Sequence, residues 1–238
     1  KRPEKLKDTW KEKHPDFQYI LWTEENLKDM KFECIDKINE IEEINGKCDI
    51  IRWEILYKYG GVFIDADSFC IEKLDDSLMK REQFFCFENE TKIPGLISPG
   101  TVGFYKNHHL IKSIIEDIKR KEVSFRKTGK YAWETVGPKI LTEHVKKFGD
   151  SVLVLPSYYF LPSWKKESNY YTGHGKVYAH QEWGSTCKNG EMVSDYSLME
   201  EKEIPKELLK RIDGQQYKNL VKFLNAIDYT KLNAWESD

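Results

Sequence analysis

No stretch of this sequence is apolar for long enough to cross a bilayer, which takes about 18–20 residues. Its five cysteines include no C-x-x-C pair and are odd in number, which argues against a disulfide framework or a zinc knuckle. With 38 basic and 40 acidic side chains the net charge is −2, so no overall field attracts nucleic acid or an anionic membrane. We therefore expect reduced thiols, a cytoplasmic location, no transmembrane segment and no nucleic-acid partner.

The length and the composition of the chain are sufficient for a folded domain. The chain has 238 residues, of which 39% are apolar and 33% are charged, and these proportions are typical of globular proteins with a full hydrophobic core. No internal repeat, low-complexity tract or linker divides the sequence. We therefore expect a single domain over residues 1–238.

Segments with helical periodicity alternate with short apolar segments along the chain. The spacing of apolar residues predicts helices over 3–16, 48–61, 107–122 and 137–149, and two short C-terminal helices within 204–232. Strands are predicted over 17–22, 62–67, 83–90 and 151–162. Asp49 can cap the second helix, and Gly60 is placed as the left-handed residue that ends it. This alternation favours an α/β domain with a mainly parallel central sheet.

The segment GGVFIDAD, residues 60–67, ends in two carboxylates separated by one small residue. Burying an unpaired carboxylate is costly, so Asp65 and Asp67 at the end of an apolar strand require an explanation. They either cap solvated backbone in a turn or hold a divalent cation. Ligands of α/β sheets lie at the carboxyl ends of strands, and two adjacent carboxylates suit Mn²⁺ or Mg²⁺ together with a diphosphate.

The helix before this strand carries a second charged pair. Asp49 and Arg52 are three residues apart, so they share one face of the helix. The guanidinium of Arg52 suits a phosphate or a carboxylate, although a surface ion pair is the simpler interpretation of these two residues alone. Gly60 and Gly61 end the helix and turn the chain into the strand, which brings the charged pair close to Asp65.

The stretch CDIIRWEILYKYGGVFIDAD, residues 48–67, resembles the glycosyltransferase family with a sugar-binding region that contains the DXD motif. This family includes yeast initiating mannosyltransferases and bacterial capsule enzymes, and its pattern is D-x-x-R-Y-x-x-L-Y-x-x-G-G-x-Y-x-D-x-D. The matching residues are Asp49, Arg52, Leu56, Tyr57, Gly60, Gly61, Asp65 and Asp67, with Trp53 and Phe63 in place of two tyrosines. Agreement over so long a pattern is highly specific.

Other segments resemble the family more loosely. Residues 9–26 are similar to a segment in which Pro precedes an aromatic strand that ends in Trp, and residues 134–142 are similar to a helix start with T-G-P. Residues 177–186 are similar to a late element, A-x-H-x-x-x-x-S-W, with Thr186 in place of its Trp. The family's opening strand, I-P-K-x-I-H-Q-x-W, is not found, and we expect that the chain starts after it.

The resemblance implies a GT-A fold, with one Rossmann-like α/β domain and a nucleotide-sugar site at the strand ends, and transfer that retains the anomeric configuration. It implies that Asp67 binds Mn²⁺ or Mg²⁺ directly and that Asp65 contacts the ribose and the metal shell. Asp49 and Arg52 would hold the nucleotide sugar, with Arg52 near the sugar or the phosphates. The implied catalytic residues are Asp65, Asp67 and Arg52.

The late element implies three more residues of the site. His180 is implied as a metal ligand or a diphosphate contact, although a histidine among aromatic residues is also a common structural residue. Ser185 is implied to contact the donor. Trp183 either stacks on the donor or pins the loop that carries it.

Two other functions remain open at this point. A metal-dependent nucleotidyl- or phosphotransferase also uses paired aspartates, but the sequence has no glycine-rich phosphate loop. A degenerate nucleotide- or glycan-binding module would keep the same fold without turnover. We expect a glycosyltransferase that moves a hexosyl unit from a nucleotide sugar, a UDP-sugar in preference to GDP-mannose, to a glycan, lipid or protein acceptor.

Overall fold

A computed structural model describes residues 4–149, 152–164 and 171–183. Within these ranges the helices are α1 (Glu4–Lys13), α2 (Glu24–Leu27), α3 (Ile35–Glu40), α4 (Ile44–Tyr59), α5 (Asp76–Met79), α6 (His109–Arg120), α7 (Phe125–Thr128), α8 (Ala132–Thr135) and α9 (Pro138–Phe148). The strands are β1 (Gly61–Ile64), β2 (Ser68–Cys70), β3 (Gln83–Asn89), β4 (Ile93–Phe104), β5 (Val154–Leu155) and β6 (Ala179–Gln181), and a 3₁₀ helix spans Ser157–Tyr159. None of these helices combines the length and the apolar composition that a membrane crossing requires.

Four strands form a central sheet in the order β1-β4-β3-β5, and β2 and β6 form a separate antiparallel pair. In the central sheet β4 lies antiparallel to both β1 and β3, whereas β3 and β5 are parallel. The predicted α/β class is confirmed, but among the described strands the expected parallel pairing holds only for β3 and β5. A tight turn joins β3 to β4, in which Asn89 Oδ1 accepts the backbone N–H of Lys92 at 2.8 Å. So short a connection requires antiparallel neighbours.

The sequence-based prediction omits β4 because the residues of this strand are typical of turns. The strand includes Pro94, Pro99 and three glycines in twelve residues. Two of these glycines are required by close packing. A Cβ at Gly103 would lie 2.2 Å from the ring of Phe84, and a Cβ at Gly100 would lie 3.0 Å from a carboxylate oxygen of Asp65. The glycines therefore let β4 approach β3 and the end of β1.

Helices α4, α6 and α9 cover one face of the central sheet. Alternate residues of β3 divide between its two faces, with Phe85 and Phe87 in the core under these helices and Phe84 in the core on the opposite side. The predicted apolar face of α6 is confirmed by five residues that are at most 3% exposed: Leu110, Ile111, Ile114, Ile115 and Ile118. The indole Nε1 of Trp53 donates to the carbonyl of Val136 at 2.8 Å, which ties α4 to the segment before α9.

Helix α1 lies on the other side and secures β2, the strand that follows the two aspartates. The indole Nε1 of Trp10 donates to the carbonyl of Ser68 at 3.1 Å. The hydroxyl of Thr9 accepts the N–H of Cys70 at 2.9 Å. These two contacts cross from α1 to both ends of β2, so the short strand is held in place by tertiary contacts as well as by its pairing with β6.

Two predicted strands differ from the structure. The segment 17–22 pairs with no strand among the described residues, and its Phe17 and Ile20 are 46% and 44% exposed. A strand-like composition does not produce a strand without a pairing partner. The predicted strand 151–162 is reduced to Val154–Leu155, because the chain then turns into the 3₁₀ helix.

The start of α4 also differs from the prediction. The helix begins at Ile44 with Glu43 as its N-cap, so Asp49 lies inside the helix and does not cap it. Glycine is unfavourable inside helices, so Gly46 argues in the sequence against a helix that starts this early. The structure requires glycine here, because a Cβ would lie 2.4 Å from the side chain of Ile41. The predicted end is confirmed, with Gly60 at a φ of 68°. The helices predicted within 204–232 lie outside the described residues.

Candidate active site

The two aspartates of the DXD motif lie in the turn between β1 and β2. The N–H of Asp65 donates to the carbonyl of Gly100 at 2.8 Å, which extends the contact of β1 with β4 by one residue. The carbonyl of Asp65 then accepts the N–H of Ser68 at 3.0 Å, where β2 begins. Asp65 and Asp67 are both partly exposed. The turn therefore presents two carboxylates at the carboxyl end of β1.

Arg52 connects helix α4 to this turn. Its Nη1 donates to Oδ1 of Asp49 at 2.7 Å, and its Nη2 donates to Oδ1 of Asp65 at 2.5 Å. The guanidinium also lies over the ring of Phe63, with 4.8 Å between Cζ and the ring centroid. Because Arg52 is only 5% exposed, its pair with Asp49 is not the surface ion pair that the spacing alone suggested. The structure thus joins the buried Asp49 and Arg52 to the partly exposed Asp65 in one network.

The carboxylates of this network outnumber its cations. Asp49 and Asp65 share the single guanidinium of Arg52 among the described ion pairs. Burial raises the pKa of Asp49 to about 7 and also raises the pKa of Asp65, although the charge of Arg52 opposes both shifts. Burial lowers the pKa of Arg52, but the two carboxylates outweigh it and raise that pKa overall. A further cation at this site would oppose the upward shifts in these carboxyl pKa values, as the charge of Arg52 does.

Helix α9 contributes a glycine to the surroundings of Asp49. Gly137 precedes Pro138 at the start of α9, in the segment that resembles the T-G-P helix start. A Cβ at Gly137 would lie 2.6 Å from Oδ2 of Asp49 and 3.1 Å from the backbone of Trp133. The glycine therefore permits the carboxylate of Asp49 to approach the backbone here. Gly137 therefore packs beside Asp49 in addition to preceding the first residue of α9.

Gln181 belongs to the site, although the sequence analysis did not select it. Its side-chain Nε2 donates to Oδ1 of Asp67 at 2.5 Å and lies 3.3 Å from Oδ2 of Asp65. The residue is on β6, opposite Ser68 of β2, so strand pairing brings it beside the motif. The one signal in the sequence is that Gln181 adjoins His180 in the late element. Neighbouring strand residues face opposite sides, so a site beside this strand can be reached by one of the two residues and not by both.

The side chain of His180 lies on the opposite face of β6 from that of Gln181. It pairs with Phe69 across the β2–β6 ladder, and its Nε2 lies 3.2 Å from a carboxylate oxygen of Glu182. Within the described residues, no group of three carboxylate, imidazole or thiol side chains converges on one point. The role of His180 as a metal ligand therefore stays a prediction.

Trp183 and Ser185 follow β6 in the late element. Trp183 is 9% exposed, and its indole meets that of Trp164 edge to face with 5.2 Å between the ring centroids. This contact agrees with the alternative in which Trp183 pins its loop, and its contact with a donor stays a prediction. Ser185 lies outside the described residues.

An open cavity of about 310 Å³ lies at the other end of β1. Its walls include Tyr59, Gly61, Arg81, Tyr105 and Lys106. The side chains of the DXD motif do not line it, because they follow the opposite end of the strand. The chemistry of the paired aspartates is therefore not connected with this cavity.

Comparison with known proteins adds an independent finding about the same part of the chain. A family model described as "Glycosyltransferase sugar-binding region containing DXD motif" matches residues 1–85. This range contains α4, β1 and both aspartates. The family resemblance noted in residues 48–67 is therefore confirmed.

Among curated proteins, the chain is similar to yeast enzymes. It is 30% identical over 113 residues to inositol phosphoceramide mannosyltransferase 3 of Schizosaccharomyces pombe, which covers 45% of this chain and 30% of that protein. It is 31% identical over 129 residues to mannosyl phosphorylinositol ceramide synthase SUR1 of Saccharomyces cerevisiae, which covers 50% of this chain and 32% of that protein. The matched part of the chain thus spans about a third of the length of these relatives.

Among solved structures, the PaToxG glycosyltransferase has a TM-score of 0.36 and 14% sequence identity, with 61% of this chain and 52% of that chain covered. The implied GT-A assignment therefore stays a prediction from the family resemblance.

Proposed function

We propose that this protein transfers a hexosyl unit from a nucleotide sugar to an acceptor, on the premise that residues 1–85 match the glycosyltransferase family whose sugar-binding region contains the DXD motif. One observation carries the proposal. Asp65 and Asp67 converge at the end of β1, where Arg52 bonds to Asp65 and Gln181 bonds to both aspartates. A turn that only caps solvated backbone does not require hydrogen bonds from a buried guanidinium and a buried amide to its carboxylates.

The proposal includes Mn²⁺ or Mg²⁺ at the two aspartates. Carboxylate oxygens are the hard ligands that both cations prefer, and the excess of carboxylates over guanidinium at the site fits a divalent charge. Asp65 and Asp67 would supply part of the ligand shell, which leaves positions for a diphosphate and water. When bound, the cation would neutralise the negative charge that develops on the leaving diphosphate.

The residues of this chain then have distinct roles. Asp67 would hold the cation, and Asp65 would contact the ribose and the cation's ligand shell. Arg52 uses both Nη atoms on carboxylates, which supports a role in orienting Asp65 rather than in binding a phosphate directly. Asp49 would in turn fix the guanidinium of Arg52. The donor contact expected for Arg52 from the resemblance is thus replaced, in this proposal, by a positioning role.

The names of the relatives bear on the donor and the acceptor. Both yeast proteins are named for mannosyl transfer to inositol phosphoceramide, or for its product. We therefore place a mannosyl donor beside the UDP-hexose expected from the sequence, and a lipid-linked inositol phosphate first among the acceptors. Retention of the anomeric configuration belongs to the same proposal.

The test is turnover of a nucleotide sugar. The protein is incubated with GDP-mannose, UDP-glucose or UDP-galactose, with Mn²⁺, with Mg²⁺ or with EDTA, and with inositol phosphoceramide or a free glycan as the acceptor. Glycosylated product and nucleoside diphosphate are measured by mass spectrometry, and the anomeric configuration is measured by NMR. The variants are Asp67→Asn and, as a matched control, Asp16→Asn, whose side chain is 82% exposed.

We expect one donor to give product only with a divalent cation. Activity should fall by at least about 100-fold in Asp67→Asn and should be unchanged in Asp16→Asn. Product that survives both EDTA and Asp67→Asn would contradict the assignment of the site. Metal-dependent nucleotide binding without any product would instead support the degenerate binding module, and a nucleotidyl or phosphoryl product would support the transferase alternative.

A further inference from the structure

Gln181 is the one uncharged side chain that bridges the two aspartates among the described residues. Its Nε2 lies 2.5 Å from Oδ1 of Asp67 and 3.3 Å from Oδ2 of Asp65. The residue is 8% exposed, so its amide has few alternative partners in solvent. One amide nitrogen therefore donates toward both carboxylates of the motif.

The backbone around Gln181 holds this amide in a fixed place. Gln181 lies opposite Ser68 in the antiparallel pair of β6 and β2. The next residue, Glu182, donates its N–H to the carbonyl of Asp67 at 3.0 Å. Because β2 is also bonded to α1 through Trp10 and Thr9, the strand β6 that carries Gln181 pairs with a strand that is itself held in place. A contact made from such a strand is more reproducible than one made from a free loop.

An amide group can interact favourably with a metal site both before and after the cation binds. Two neighbouring carboxylates repel each other, and an amide N–H group donating toward both reduces that repulsion without adding charge. The other end of the same group is a carbonyl oxygen, which is a ligand that Mg²⁺ and Mn²⁺ accept. Rotation of the terminal amide exchanges the nitrogen for the oxygen without moving the backbone.

We infer that Gln181 is a positioning residue of the metal site, which holds Asp65 and Asp67 together before a cation binds and turns its carbonyl oxygen toward the cation afterwards. This inference rests on the proposed function, because it requires that the two aspartates bind a divalent cation. It assigns to Gln181 a contribution to the cation affinity of the two aspartates, and it leaves the transfer chemistry to the residues that touch the donor.

The test measures cation binding rather than activity. Mn²⁺ is titrated into the protein with GDP or with UDP, and free Mn²⁺ is followed by electron paramagnetic resonance. The variants are Gln181→Leu, which removes the amide, and Gln181→Glu, which replaces it with a carboxylate of the same length. Gln83→Leu is the matched control, since its amide oxygen is 3.1 Å from His108 Nε2 in another part of the fold.

Gln181→Leu should weaken Mn²⁺ binding by about 10–100-fold, and Gln83→Leu should leave it unchanged. Gln181→Glu should instead strengthen Mn²⁺ binding. Its melting temperature without cation should fall, because three carboxylates then face one another, and its gain in melting temperature on adding Mn²⁺ should exceed that of the wild type. A residue that only stabilises β6 would lower the melting temperature equally with and without Mn²⁺.

The outcomes separate this inference from the proposed function. If the wild type binds no Mn²⁺ with either nucleotide, the metal site and the inference both fail. If the wild type binds Mn²⁺ and both Gln181 variants bind it equally well, only the inference is wrong. Folding of each variant is checked by circular dichroism. Should Gln181→Leu not fold, Gln181→Asn, which keeps the amide but withdraws it by one methylene, is expected to weaken Mn²⁺ binding, and equal binding would overturn the inference.

Discussion

The guanidinium of Arg52 lies 2.5 Å from the carboxylate of Asp65, and this contact joins the middle of α4 to the end of β1. The side chain of Arg52 is 6% exposed and that of Asp65 is 30% exposed, so the pair extends from the core to the surface of the site. A buried ion pair of this kind is weak support for stability, but the loss of one partner leaves a charge that is hard to accommodate. The pair therefore couples the geometry of the site to the fold.

Replacing Arg52 should be more damaging than replacing an exposed arginine. Arg52→Leu leaves Asp49 and Asp65 without their cation, and we expect the free energy of unfolding to fall by about 3–5 kcal/mol. Arg52→Lys keeps the charge but cannot bond both carboxylates as a planar fork, so it should recover stability only in part. Arg126→Leu is the control, because Arg126 is 85% exposed and its ion pair with Glu42 is long at 3.8 Å. Urea unfolding measures all three, and equal losses in Arg52→Leu and Arg126→Leu would contradict the network.

Gly137→Ala should impair the site more than the fold. The new methyl group would meet Oδ2 of Asp49 at 2.6 Å, so the carboxylate must move and Arg52 must follow it. We expect weaker binding of the nucleotide with Mn²⁺ in calorimetric titration. Gly129→Ala is the control, since a Cβ there meets nothing within 4 Å and its φ of 69° affects only backbone strain, about 1–2 kcal/mol. Unchanged nucleotide affinity in Gly137→Ala would show that Asp49 does not act on the site through this contact.

Cys48 offers a chemical probe of the site. It is exposed, one turn before Arg52 on α4. Partial burial raises the pKa of Cys48 too, but burial raises the pKa values of the buried Cys34 and Cys70 to about 12. In a Cys187→Ser background, N-ethylmaleimide at pH 8.5 should modify Cys48 first, and Mn²⁺ with the correct nucleoside diphosphate should slow this reaction. Peptide mass spectrometry identifies the modified residue.

The matched control for this probe is Cys48→Ser in the same Cys187→Ser background. It should lose the fast reaction and keep the slow ones. A rate of Cys48 modification that does not change with Mn²⁺ and nucleotide would place the ligand away from this face of α4.

The contribution of two buried histidines to stability should decrease as the pH falls below the usual histidine range. Burial lowers the pKa of His14 and of His108. Each also accepts a backbone N–H, from Leu74 at 2.9 Å and from Leu110 at 3.2 Å respectively, and an acceptor nitrogen cannot carry a proton. The unfolded chain therefore binds more protons at these residues, and their contribution to stability is lost as the pH falls through about 6.5 and below.

Comparison of variants isolates the histidine effect. Asp49 changes the stability in the opposite direction to the histidines. Its pKa is raised in the folded state, so its contribution to the free energy of unfolding increases as the pH falls from about 7. His14→Gln and His108→Asn should each give a flatter dependence of the unfolding free energy on pH between 7 and 5, by up to about 1.4 kcal/mol per pH unit. Chemical denaturation at several pH values measures the slopes. A wild-type slope retained in both variants would contradict the assignment.

The sequence by itself determined the elements whose signals are local. Apolar residues at helical spacing identified α6, and Gly60 identified the end of α4, because a helix requires a repeating apolar face and a residue that tolerates a positive φ. The spacing of Asp49 and Arg52 and the position of Asp65 after a short strand then predicted their meeting. Each of these relationships spans fewer than about twenty residues, so the covalent chain and regular helix geometry are sufficient to establish it.

The tertiary structure alone decided the relationships between distant segments. Strand β4 contains two glycines, Gly103 and Gly100, that are explained only by the close approach of Phe84 and Asp65 respectively. Gln181 reaches Asp65 across 116 positions of sequence, through the register of β6 against β2. Strand pairing and its direction depend on hydrogen bonds between segments whose distance in sequence carries no periodic signal. For this reason the DXD motif could be identified from the sequence, whereas the amide of Gln181, which joins its two carboxylates, could not.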